Sequence, residues 1–152
     1  HQRRTSTLSA GQNQVLSVTT GNVSFEGTTT ANAGNDFTLS VATGNLSLAG
    51  TSTIGAGANQ ALTIGTGNVS LSGTSTLSAD SDLSLNVSTG NVSVDGDTTA
   101  SAGNNFALAI GTGNLDFAGN NSITAANNLS LCFQRWIWNI TVHHASGTKA
   151  QL

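Results

Sequence analysis

The tripeptide Thr-Gly-Asn returns every 23 residues, starting at Thr20, Thr43, Thr66, Thr89 and Thr112. A strict period of this length implies a stack of near-identical supersecondary units, each too small to bury its apolar face alone. With the Thr as slot 1, full copies span residues 20–42, 43–65, 66–88, 89–111 and 112–134, and the preceding residues fit the same frame as a partial copy. The frame sets the organisation: repeats over 1–134 and a different C-terminal segment over 135–152.

The apolar slots are all even. Slot 4 holds Val23, Leu46, Val69, Val92 and Leu115, and slot 6 holds Phe25, Leu48, Leu71, Val94 and Phe117. Slot 14 is always Ala, slot 20 is always Leu, and slot 22 is Val, Ile or Phe. Odd slots are mostly Thr, Ser, Asn, Gly or Asp. Such alternation marks strands with one buried face, because successive side chains point to opposite sides. Gly at slots 2 and 8, and Gly or polar residues at slots 15 to 17, divide each copy into three short strands near slots 3–7, 9–14 and 17–22. Wound around an axis, these strands give an all-β fold, a parallel β-helix (β-solenoid) of triangular section with five full coils and a partial N-terminal one. Parallel crossovers are nearly always right-handed, so a right-handed coil is expected.

Paired volumes point to one shared lumen. Where slot 12 is Ala (Ala31, Ala100), slot 18 is Phe (Phe37, Phe106); where slot 12 is Leu8 or Ile54, slot 18 is Gln14 or Gln60. A close-packed interior of fixed cross-section requires this trade in size. The two Gln amides need partners if buried. A local shift that turns Val15 and Ala61 inward would relieve them.

Charge narrows the function classes. Charged residues make up 7% of the chain; the seven acids lie between Thr20 and Gln134, whereas Arg3, Arg4, Arg135 and Lys149 lie outside that span. The repeats therefore offer no basic face to nucleic acid or an acidic membrane. No apolar run approaches membrane-spanning length, so no membrane insertion is expected, and no secretory signal precedes the repeats. The first residue is His1 in place of Met, which fits a processed product or an excerpt from something longer. Cys132 is the single cysteine and sits in an odd, outward slot, where it reads as a substitution in a ladder of small residues. After Phe133 the pattern breaks, but Trp136, Trp138, Ile140 and Val142 keep the alternation. Residues 135–152 are expected to form a capping strand over the last coil or a tail.

Two outward arrays are candidates for function. Asn22, Asn45, Asn68, Asn91 and Asn114 would stack as an amide ladder along one corner. Four of them also match the N-glycosylation acceptor pattern, but a spacing near 4.8 Å leaves no room for a glycan on each. Slots 9 and 11 supply Thr5, Thr7, Thr28, Thr30, Thr51, Thr53, Thr74 and Thr76, then decay to Asp97 with Thr99 and Asn120 with Ser122. That array resembles the Thr-x-Thr ice-binding face of insect-type antifreeze β-solenoids, although Thr is also simply a good exposed strand residue.

Other chemistry finds little support. Asp80 and Asp82, and Asp95 and Asp97, lie two apart without matching a calcium repeat, and read as solvated surface charge; no metal or cofactor is expected. The full repeats contain no His, Lys or Arg to complete a catalytic set, and His143 and His144 stand alone in the tail, so no catalytic residues and no enzyme are expected.

The string Thr-Gly-Asn-[Val/Leu]-Ser-[Leu/Phe/Val]-x-Gly, followed by Ala and then Leu-x-[Val/Ile], resembles the repeats of filamentous-haemagglutinin-like bacterial exoproteins over about residues 5–134. Those are large secreted adhesins with right-handed parallel β-helical shafts. The resemblance implies a non-catalytic, structural or adhesive shaft, extracellular or on the bacterial cell surface. It also implies as partners a host-surface protein or carbohydrate, or end-to-end self-association. The alternative from a different class is an ice-binding protein acting through the Thr array.

Overall fold

The computed structural model describes residues 5–133 and 149–151. Among them every regular element is a strand. The partial first coil contains β1 (Thr5–Ala10) and β2 (Gln14–Thr20), and the next contains β3 (Val23–Phe25), β4 (Thr28–Ala33) and β5 (Phe37–Thr43). Two coils follow with two strands each: β6 (Leu46–Ala56) with β7 (Gln60–Thr66), and β8 (Val69–Ala79) with β9 (Leu83–Thr89). Then come β10 (Val92–Val94), β11 (Asp97–Ala102) and β12 (Asn105–Thr112), and β13 (Leu115–Phe117), β14 (Asn121–Ala125) and β15 (Asn128–Phe133). A last short strand, β16 (Lys149–Gln151), pairs in parallel with β15. The expected Trp136–Val142 strand and the histidine pair lie outside the described residues.

From β1 to β15 the paired strand residues lie opposite their equivalents 23 positions away, as in Leu46↔Val69, Thr51↔Thr74 and Ala56↔Ala79. The chain is therefore a β-solenoid of stacked parallel coils. Its strands fall into two sheets instead of three. One runs β1-β4-β6-β8-β10-β13, with β3 on β6, β11 on β8 and β14 on β11; the other runs β2-β5-β7-β9-β12-β15-β16. The first two strand segments of a coil join across Gly50 and Gly73 into single 11-residue strands. Positive φ at these glycines (87° and 134°) lets the backbone bend while Thr51 N–H still bonds Gly27 C=O at 2.8 Å.

The corner at slot 2 depends on glycine more strictly. Gly44, Gly67, Gly90 and Gly113 have φ of 143° to 150°, and a Cβ on any of them would run into the carbonyl oxygen of the glycine one coil earlier. Stacking and corner conformation thus demand the same residue, which explains why Thr-Gly-Asn is the most regular string in the chain.

The lumen is lined by the even slots. Leu39, Leu62, Leu85, Leu108 and Leu131 form one buried column, and Val41, Ile64, Val87 and Ile110 a second. The size trade between slots 12 and 18 is realised, with Ala31, Phe37, Ala100 and Phe106 all buried. The local shift that would turn Val15 and Ala61 inward does not occur. Val15 is 69% exposed, and Gln60 is 1% exposed with neither side-chain polar atom hydrogen-bonded to protein. Strand parity is the reason. Leu62 and Ile64 stand in register between Leu39 and Leu85 and between Val41 and Val87, and turning Ala61 inward would expel both.

Candidate functional site

The Asn corner is built by the backbone turn after Thr-Gly. Each side-chain carbonyl accepts the backbone N–H of the Asn one coil later. The distances are 2.9 Å from Asn45 to Asn22, 2.8 Å from Asn68 to Asn45, 2.9 Å from Asn91 to Asn68 and 2.9 Å from Asn114 to Asn91. The Asn45 amide also donates to Asn22 at 3.3 Å. The corner N–H groups, which no strand ladder reaches, are thereby satisfied. All five Asn side chains are at the surface.

A second ladder runs along the corner before the other sheet, at slot 17: Asn13, Asp36, Asn59, Asp82, Asn105 and Asn128. Asp36 N–H bonds Asn13 Oδ1 at 3.2 Å, Asn59 N–H bonds Asp36 Oδ1 at 3.1 Å, and Asp82 N–H bonds Asn59 Oδ1 at 3.3 Å. Asp82 Oδ1 accepts from the Asn105 backbone at 3.1 Å and from the amides of Asn104 and Asn105, both at 2.9 Å. Carboxylates alternate with carboxamides, so no two acids stack directly. The sequence expectation missed this ladder, although its signal was available: only Asn or Asp ever precedes slot 18.

The eight threonines expected as an array lie on β1, β4, β6 and β8 in direct register, Thr5↔Thr28↔Thr51↔Thr74 and Thr7↔Thr30↔Thr53↔Thr76. The slot 9 column is exposed, and Thr30, Thr53 and Thr76 of the slot 11 column are half-buried. Strand geometry sets the grid at about 4.8 Å between coils and roughly 6.8 Å along a strand. It continues as Asp97 opposite Thr74 and Thr99 opposite Thr76. Asp97 then accepts the Asn120 backbone N–H at 3.1 Å, so the carboxylate takes over a corner-capping task where the threonines end.

The even slot 10, between the two threonine columns, points inward. Thr29, Ser52, Ser75 and Thr98 are buried, and none of their hydroxyls bonds to protein. This internal polar column was not anticipated, yet parity alone predicts it: even slots face the lumen, and slot 10 carries Ser, Thr or Asn in every copy.

Among the described residues no three His, Cys, Asp or Glu side chains gather as a metal site would require, and no helix is long and apolar enough to cross a membrane. Cys132 is free and exposed on β15. The surface therefore offers repeated columns of neutral hydrogen-bonding groups and scattered carboxylates. No protein-family model, curated protein or solved structure matches the chain.

Proposed function

We propose that this chain is a non-catalytic segment of a solenoid shaft, of the kind found in filamentous-haemagglutinin-like exoproteins, working at the bacterial cell surface or outside the cell. The observation that carries the reading is the unbroken 23-residue register through both sheets and both corner ladders. The corner Asn and Asp side chains join coil to coil, which suits a spacer that holds a binding region away from a surface. A host-surface protein or carbohydrate would be met by such a region, and end-to-end contact between shafts would lengthen the rod. Small-angle scattering on variants carrying one or two additional copies of residues 43–65 tests this. A shaft lengthens by about 4.8 Å per added coil at constant cross-section. Compaction or bending with added coils would contradict it.

The in-register threonine grid supports a second reading, an ice-binding face on the first sheet. Thermal hysteresis decides between them: a shaft gives none. If hysteresis appears, Thr51→Lys with Thr53→Lys should abolish it and leave the circular dichroism spectrum unchanged, because both side chains point outward.

A further inference from the structure

The slot 10 hydroxyls present an energetic problem that recurs along the whole interior. Thr29, Ser52, Ser75 and Thr98 are each 4% exposed or less, and each leaves its oxygen without a protein partner. A buried hydroxyl without a hydrogen bond is costly, and a column of them multiplies the cost. These residues are in register as neighbours, Thr29↔Ser52, Ser52↔Ser75 and Ser75↔Thr98. We propose that the slot 10 column is a binding site for ordered water, with one molecule seated between each successive pair of buried hydroxyls.

Geometry favours water over direct contact. Coils stack about 4.8 Å apart, too far for one hydroxyl to bond the next. A water about 2.8 Å from both oxygens spans that gap at an angle of roughly 120°, near its natural value. Each hydroxyl has one proton to give and lone pairs to accept with, so hydroxyl and water alternate as donor and acceptor along the file. A cavity of about 20 Å³ lies beside Thr98, lined also by Leu77, Val94, Ala100, Phe106 and Ile123, and its exposed lining is wholly apolar. A cavity so lined stays dry, so the proposed waters sit between the hydroxyls and not in it. The near end is Ser6, which is in register with Thr29 and exposed, and so connects the file to solvent. At the far end Asn121 closes the column by accepting the Thr98 backbone N–H at 3.2 Å and donating to Ala118 C=O at 2.9 Å.

Gln60 marks the contrast. It is equally buried and equally unpartnered, but its neighbours in register are Phe37 and Leu83. A water there would share no second side-chain hydroxyl or amide above or below, whereas each site in the slot 10 file has two.

Oxygen-17 water relaxation dispersion on the intact protein counts long-lived internal waters, and the difference between variants is the readout. Ser75→Ala should remove two waters and lower Tm, and Ser75→Thr, which keeps a hydroxyl as at Thr29 and Thr98, should retain both. Thr98→Val keeps volume and branching while deleting the hydroxyl, so it should lose one water and remain folded even if Ser75→Ala does not. An unchanged count in Thr98→Val, or a Tm that rises in Ser75→Ala, would overturn the proposal.

Discussion

Gln60 occupies a slot where the other full coils place Phe37, Leu83, Phe106 and Leu129. Its carboxamide is buried without a partner, and the coil of Ile123 and Leu129 shows that a bulky slot 12 tolerates Leu at slot 18. Gln60→Leu is therefore expected to stabilise the fold by about 1–2 kcal/mol, read as a higher denaturant midpoint at unchanged slope. Gly67→Ala should do the reverse and more severely, since its φ of 148° and the Gly44 carbonyl both exclude a Cβ. Thermal melting should show loss of cooperative unfolding or a steep fall in Tm. Much at this scale was readable beforehand. The Ala31–Phe37 and Ala100–Phe106 exchange follows from volume alone. The burial of Gln60 follows from its even slot as well; polarity argued for a local outward shift, and the parity imposed by Leu62 and Ile64 keeps it inward.

Between coils, the slot 17 ladder shows how an element manages charge. Asp36 and Asp82 are separated by Asn59, which donates to one from its backbone and side chain, at 3.1 Å each, and accepts from the other at 3.3 Å. Asn59→Asp would place three carboxylates in line about 4.8 Å apart and remove an amide donor. Two added repulsions of about 1 kcal/mol each in water-like surroundings should lower Tm at neutral pH. Added salt should recover part of that loss, whereas the parent protein, lacking stacked acids here, should respond little to salt. Strand positions were legible because alternation of apolar and polar residues dictates them. The joining of β6 and β8 across their glycines was not: a glycine in a strand pattern signals a bend or a break equally well.

Taken whole, the fold is a sum of interchangeable layers, and this makes a deletion test available. Excising residues 43–65 joins Ala42 to Thr66 and brings β4 against β8 with equivalent residues opposed. The shortened protein should keep its β spectrum and melt at a modestly lower temperature. Excising residues 43–64 should instead give an insoluble or unfolded chain, because a shift of one residue turns every downstream side chain to the wrong face. The architecture was legible from the period, and the Thr and Asn arrays from the parity of their slots. What the arrays meet was not legible, since identical columns of small polar residues serve equally to bind coils together or to face a partner.

Both corner ladders share a sense: the carbonyl of the earlier Asn or Asp receives the amide of the later one, from Asn22 through Asn114 and from Asn13 through Asn105. The two extremities of the rod are thus chemically unlike, and a finished layer already holds out the acceptors its successor requires. Synthesis delivers the amino end first, so each layer leaving the ribosome meets acceptors already in place.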